Sequence, residues 1–188
     1  MLAIEMQQET VGEFHVDTAK SKNYIGLMLR YIGRYKEAKA YLLEAHDIRK
    51  KVLGPKHFET TIAMDDLALT YIILGEYDLA ESYIEESLQI AEPLLGKDHH
   101  FVSKFKATQA TLFVKKRDYQ KSIELFTITV ENYTKNFGKD HPYTVYVMNS
   151  LAEAYLEHND LEKATDYIEK ALAIQNKQGK GHGIVSQN

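Results

Sequence analysis

The chain has 188 residues, of which 44% are hydrophobic and 27% charged, with three prolines and no cysteine. This length supports one domain with a sizeable core, and the composition is typical of a soluble, largely helical protein rather than a disordered one. A formal net charge of -4 lacks the basic excess of nucleic-acid-binding proteins, and the absence of cysteine excludes disulfides, thiolate metal sites and cysteine nucleophiles.

The N-terminal residues show neither a basic leader nor a long apolar run, and no stretch approaches the ~20 apolar residues of a membrane helix. We therefore expect a cytoplasmic protein that contacts neither membrane nor nucleic acid.

A Gly-x-x-His tetrapeptide recurs along the chain at a fixed interval of 42 residues. Its glycines and histidines are Gly12 and His15, Gly54 and His57, Gly96 and His99, and Gly138 and His141. An interval held without slippage predicts one supersecondary unit copied in tandem, and such units stack into a solenoid.

The pattern predicts that each 42-residue repeat contains a helix, a tight turn and a second helix. In the second repeat, apolar residues from Ile62 to Leu74 recur at helical spacing and Gly75 ends this stripe. A further apolar stripe runs from Leu79 to Ile90. We predict a single all-α domain over 1–188. Its segments are the tail of a partial repeat at 2–12, repeats at 16–54, 58–96, 100–138 and 142–178, and a flexible tail at 179–188.

The run Leu67-Ala-Leu-Thr-Tyr-Ile-Ile-Leu-Gly-Glu-Tyr-Asp-Leu-Ala-Glu, with partial copies at 151–155 and 33–38, resembles the tetratricopeptide repeat. The 42-residue period and the Leu-Gly-Lys-Asp-His linker resemble the subtype of kinesin light chains. This resemblance covers roughly residues 2–178 and implies a right-handed superhelical solenoid. The third repeat departs most, since Arg117 replaces the turn glycine and Ser122 replaces the small apolar partner.

The periodic histidines suggest a metal site, but residues that recur once per repeat lie about 10 Å apart, too far for one ion. We expect these histidines to cap the C-termini of the preceding helices. Phosphate-loop, hydrolase and zinc-peptidase motifs are absent. We therefore predict no enzymatic activity, no catalytic residue, no metal and no cofactor.

The repeat phase predicts which first-helix residues face the concave wall of the solenoid. Asparagines in this family often bond the backbone of an extended peptide, and an amide supplies both a donor and an acceptor. Apolar residues without an internal partner mark an interface. The predicted binding residues are Asn23, Leu27, Arg30, Tyr31, Asp65, Leu69, Ile72, Ile73, Lys104, Thr111, Val114, Asn149 and Glu153.

These observations predict a scaffold that binds a protein or an extended peptide in a concave groove. The apolar face of the last helix, with Ile168 and Leu172, gives the first alternative, a structural module that forms homo-oligomers by end stacking. The second alternative is a peptide-sensing regulatory segment of a larger protein, because the chain starts in mid-repeat.

Overall fold

The computed structural model describes residues 14–182, and the side chains of residues 14–177. Eight helices and no strand occupy this range. They are α1 (Val16–Tyr31), α2 (Tyr35–Val52), α3 (Phe58–Leu74), α4 (Tyr77–Leu95), α5 (His100–Lys115), α6 (Tyr119–Phe137), α7 (Pro142–Glu157) and α8 (Leu161–His182). The chain is all-α and built from tandem helix-turn-helix repeats, as predicted. The proposed helical tail at 2–12 and most of the proposed flexible tail lie outside the described residues, while α8 extends four residues past Gln178, the predicted end of the fourth repeat.

The helices form two compact units, spanning Met1–Gly96 and Lys97–Asn188. Unit 1 contains α1 to α4, and unit 2 contains α5 to α8. Within each unit the two helices of a repeat contact each other, the second helix of the first repeat packs on the next first helix, and the two first helices also touch. The first helices therefore lie side by side, as α1 and α3 in unit 1 and as α5 and α7 in unit 2.

Small residues allow the helices of a repeat to approach closely. Ala38, Ala80, Ser122 and Ala164 recur at one position of the second helix, and all are buried. In the first repeat Gly26 faces this position, and a Cβ atom added there would lie 2.6 Å from Cγ of the fully buried Leu42. The close packing predicted by the repeat phase thus requires a minimal side chain at this contact.

Each first helix begins at one of the periodic histidines. Nδ1 of His15, His57, His99 and His141 accepts a hydrogen bond from the backbone N–H two residues later, at 3.1 to 3.3 Å. These side chains are N-caps of the following helix. The expected capping role at the C-terminus of the preceding helix was wrong. The preceding helix ends instead at glycine in two repeats, with Gly96 and Gly138 as the C-caps of α4 and α6.

The two helices of every repeat are joined by the same left-handed turn. In the first two repeats the turn residue is glycine, with φ 82° at Gly33 and 77° at Gly75. Arg117 and Asn159 adopt the same conformation at φ 62° and 64° in the third and fourth repeats. The backbone N–H of Arg117 donates to the carbonyl of Val114 at 3.0 Å, as Gly75 does to Ile72 at 3.1 Å. The turn is therefore retained where glycine is lost.

Candidate functional site

The predicted binding residues lie on the first helices of both units. We call the surface of α1 and α3 the unit 1 face, and the surface of α5 and α7 the unit 2 face. The unit 1 face carries Asn23, Leu27, Arg30, Tyr31, Asp65, Leu69, Ile72 and Ile73, and the unit 2 face carries Lys104, Thr111, Val114, Asn149 and Glu153.

The floor of the unit 1 face is a buried polar network that links Asn23, Arg49 and Asp66. Nδ2 of Asn23 donates to a carboxylate oxygen of Asp66 at 3.1 Å, and Oδ1 of Asn23 accepts from the guanidinium of Arg49 at 2.9 Å. Asn23 is buried, and both ends of its amide are therefore engaged within the protein. This differs from the expectation that Asn23 offers its amide to a peptide backbone.

Arg49 is the member of this network that the sequence did not reveal. It lies on the second helix α2 and is only 5% exposed, at a repeat position where α4 and α6 carry Ala91 and Tyr133. Burial lowers the pKa of Arg49, while the carboxylates of Glu59 and Asp66 act in the opposite direction. The available signal was that this position is charged in the first repeat alone, with Gln175 in the fourth. The 42-residue register does not show that the Arg49 side chain reaches α1.

Arg30 joins the two first helices of unit 1. Its guanidinium donates to the backbone carbonyl of Asp66 at 2.8 Å and approaches the hydroxyl of Thr70 at 3.4 Å. Because Asp66 and Thr70 belong to α3, this half-buried side chain holds α1 against α3. Arg30 thus fixes the relative position of the two helices that form the unit 1 face.

The apolar members of the unit 1 face differ sharply in exposure. Tyr31 is 85% exposed and Ile73 is 42% exposed, while Leu27 and Leu69 are half-buried. Ile72 is only 3% exposed, so it packs inside the protein rather than presenting a contact surface. A ligand can therefore reach the apolar side chains of Tyr31 and Ile73 and part of the half-buried Leu27 and Leu69. Asp65, also predicted for this face, is buried at 1% exposure.

The predicted residues of the unit 2 face are more polar than those of the unit 1 face, and none of them is fully buried. Asn149 and Glu153 are exposed on α7, and neither side chain forms a hydrogen bond or ion pair with a described residue. Lys104 and Val114 are half-buried on α5, and the Thr111 hydroxyl donates to the carbonyl of Ala107 at 2.9 Å. Asn149 is the register partner of Asn23, yet its amide is accessible where that of Asn23 is not.

Exposed aromatic rings border both faces outside the predicted set. Tyr24 on α1 is 58% exposed, and Tyr146 on α7 is 66% exposed. Both rings lie on the same side of the first helices as the predicted residues, by the repeat phase. Aromatic side chains of this kind supply large contact area at low entropic cost when a partner binds.

The histidines and carboxylates do not gather into a metal-binding cluster within the described side chains. Between residues 14 and 177 no group of three or more His, Cys, Asp or Glu side chains is arranged to hold an ion. The adjacent His99 and His100 rings stack with their centroids 4.3 Å apart. In the same part of the chain no helix has the length and apolar character needed to cross a bilayer.

Comparison with known proteins identifies the repeat. The family model described as tetratricopeptide repeat matches residues 17–92 and 106–177. No curated protein sequence matches the chain.

Solved structures with similar folds include kinesin-light-chain-like repeats. One is a point variant of the nearly identical TPR-like repeats of a putative kinesin light chain from Podosopora anserina, at 22% identity and TM-score 0.69, covering 94% of this chain and 84% of that one. Another is BtubC (BKLC) from P. vanneervenii, at 16% identity and TM-score 0.70, covering 88% and 66% of the two chains. The apo form of RapI has 16% identity and TM-score 0.73, with coverage of 94% and 62%. At these identities the likeness concerns the fold.

Proposed function

Because the chain belongs to the tetratricopeptide repeat family, we propose that it is a non-enzymatic scaffold that binds a protein or an extended peptide along its first helices. The observation that carries this proposal is the exposure of Tyr31 and Ile73 beside the half-buried Leu27 and Leu69 on the unit 1 face. Exposed apolar side chains grouped on one face favour an interaction surface.

The polar groups on the two faces have different roles in this proposal. Asn23 and Arg30 hold α1 against α3 through Asp66, so they keep the apolar contacts of unit 1 in place. Asn149 has a free amide and is suited to bond a peptide backbone, because it offers a donor and an acceptor. Apolar contacts would supply affinity, and the accessible amide would fix orientation.

Peptide selection tests this proposal directly. A displayed library of random peptides is selected against the full chain, and the selected peptide is then studied by hydrogen exchange in the free and bound protein. We expect slowed exchange in α1 and α3 or in α5 and α7. Protection confined to the second helices α2, α4, α6 and α8 would contradict binding along the first helices.

A second candidate function, self-assembly by end stacking, is favoured by the outer face of α8. Ile168 is 41% exposed, whereas its register partners Leu42, Ile84 and Phe126 are between 0% and 2% exposed. Leu172 on the same helix is 50% exposed. This position is shaped to be covered by another helix, and a second copy of the chain could supply it.

Sedimentation across a hundredfold range of concentration distinguishes the two functions. End stacking predicts a mass that rises with concentration and a return to the monomer mass of 21.6 kDa in Leu172→Lys. A constant monomer mass in the unsubstituted protein would remove this second candidate and leave peptide binding unaffected.

A further inference from the structure

Unit 2 contains a cleft where the turn between α5 and α6 faces α7. Its volume is about 280 Å³, and it is lined by Val114, Lys115, Arg117, Tyr119, Glu153 and Glu157. Val114 and Tyr119 are half-buried, while the four charged side chains are more open to solvent. The cleft therefore combines an apolar and aromatic lining with charged walls.

The charges of the cleft are separated by sign. Lys115 and Arg117 come from the end of α5 and the following turn, and Glu153 and Glu157 come from α7. None of the four side chains forms a hydrogen bond or ion pair with any described residue. The two cations and the two carboxylates thus line one cleft without reaching each other.

Ion pairs three residues apart occur next to the turns of the first, third and fourth repeats. In unit 1, a cleft of about 350 Å³ at the turn between α1 and α2 contains Arg34 and Glu37, whose side chains bond each other at 2.6 Å. In unit 2 Lys163 lies 3.0 Å from Asp160, next to the turn between α7 and α8. The register counterparts of these two pairs at the turn between α5 and α6 are Asp118 and Lys121, which also pair, at 2.8 Å. The unpaired charges among the described residues in this part of unit 2 are therefore the four that line the cleft.

The repeat register shows where these charges have been introduced. Shifting by 42 residues places Lys115 on Ile73, Arg117 on Gly75 and Glu153 on Thr111. Arg117 stands where glycine suits the left-handed backbone, and its φ is 62°. A long cationic side chain is thus present at a position where the backbone favours glycine.

We propose that this cleft binds a peptide segment that carries an acidic and a basic side chain two residues apart. In an extended peptide, such side chains point to the same side about 7 Å apart, so they can reach opposite walls together. The acidic group would pair with Arg117 and Lys115, and the basic group with Glu153 and Glu157. A guanidinium favours a carboxylate through two parallel hydrogen bonds.

A peptide suits this cleft better than a free zwitterionic amino acid. The cleft is at the small end of ligand sites, which usually enclose about 300 to 1,000 Å³, and its charged walls are open to solvent. A single small molecule would bury little surface there, whereas a peptide continues along α7 past Asn149. This inference rests on the proposed function, because it specifies the peptide that the unit 2 face recognises.

The test compares short peptides of one length that differ only at two positions. The four sequences carry Glu-x-Lys, Glu-x-Glu, Lys-x-Lys or Gln-x-Gln, and their affinity for the full chain is measured by fluorescence polarisation at low salt. We expect Glu-x-Lys to bind about tenfold more tightly than Gln-x-Gln, because two solvent-accessible ion pairs contribute modestly. Equal affinities for the four peptides would overturn the inference.

Charge-reversal substitutions test whether the preference for Glu-x-Lys arises in the cleft. The pair Glu153→Lys and Glu157→Lys should shift the preference from Glu-x-Lys to Glu-x-Glu. The matched control carries Glu131→Lys and Glu169→Lys, which reverse two exposed charges on α6 and α8, and it should retain the original order. The same order in both double variants would place binding outside the cleft.

Arg117→Asn separates charge from backbone effects. Asn159 shows that asparagine occupies this turn at φ 64°, so the turn is retained while the cation is lost. With a fifth peptide that carries Gln-x-Lys, we expect the preference for Glu-x-Lys over Gln-x-Lys to be smaller in this variant, because only Lys115 remains to pair with Glu. An unchanged preference for Glu would contradict the role of Arg117.

The remaining outcomes distinguish this inference from the proposed function. If peptides selected from a random library bind the first helices but Glu-x-Lys shows no advantage, the inference fails and the scaffold function stands. If no peptide binds, both fail. Competition by free glutamate and lysine at the concentration of the peptide itself would identify a small-molecule site and overturn the peptide assignment.

Discussion

Replacing Arg117 by glycine should stabilise unit 2, because this residue has φ 62° in a turn where the first two repeats use glycine. A left-handed conformation costs a residue with a side chain about 1 to 2 kcal/mol. The side chain makes no hydrogen bond or ion pair with a described residue that would offset this cost. Glycine also gains freedom in the unfolded chain, which reduces the benefit by about 0.4 to 1 kcal/mol. The net increase in the free energy of unfolding is therefore about 0.5 to 1 kcal/mol.

Urea unfolding followed by circular dichroism measures this difference. With a slope of about 2 kcal/mol/M, Arg117→Gly should raise the midpoint by about 0.3 to 0.5 M without changing the slope. Asn159→Gly is the matched control, since asparagine tolerates this conformation and the gain should be smaller. A lower midpoint in Arg117→Gly would refute the reasoning, because it would mean that the arginine side chain stabilises the fold.

Three further predictions concern the caps, the buried histidine and the close helix contact. His57→Ala removes the N-cap of α3 and should lower the free energy of unfolding by about 1 kcal/mol, whereas the exposed Lys56→Ala should have no effect in the same urea assay. Burial lowers the pKa of His46 below 6.5, against the opposing effect of Asp47. The unfolded state therefore binds the proton first as the pH falls, so the free energy of unfolding decreases below about pH 6.5. In His46→Leu the melting temperature should depend less on pH between about pH 7 and 5. An unchanged pH dependence of the melting temperature would argue against burial of His46 as the cause. Gly26→Val should lower the free energy of unfolding by about 1 to 3 kcal/mol through overpacking against Leu42, and an unchanged midpoint would show that α1 and α2 can separate freely.

The periodic pattern predicted the helices and their order because each repeat has the same small and large residues at the same positions. Ala38 and Ala80, for example, both lie at close helix contacts and are fully buried. The pattern also predicted that the histidines cap helices, but it assigned them to the wrong helix end. Gly96, for example, already ends α4, so the imidazole of His99 accepts a backbone N–H from the first turn of α5 instead.

The candidate site was harder to derive, because register assigns a residue to a face but does not identify its partners on neighbouring helices. Asn23 and Asn149 share one register position, yet Asn23 is bonded to Arg49 from α2 while Asn149 has no such partner among the described residues. Ile72 and Ile73 are neighbours in sequence with 3% and 42% exposure, a difference set by packing across helices. The binding roles of both faces remain predictions.

The central claim is that the first helices bind a partner through their exposed apolar residues. Ile73→Asp and Ile128→Asp form a matched pair, because both isoleucines are 42% exposed and only Ile73 lies on a first helix. For a peptide selected against the unsubstituted chain and shown by hydrogen exchange to bind α1 and α3, we predict that Ile73→Asp weakens binding by about thirtyfold or more, or about 2 kcal/mol, while Ile128→Asp leaves the affinity unchanged. Equal affinities for the two variants, with circular dichroism showing both folded, would contradict the claim.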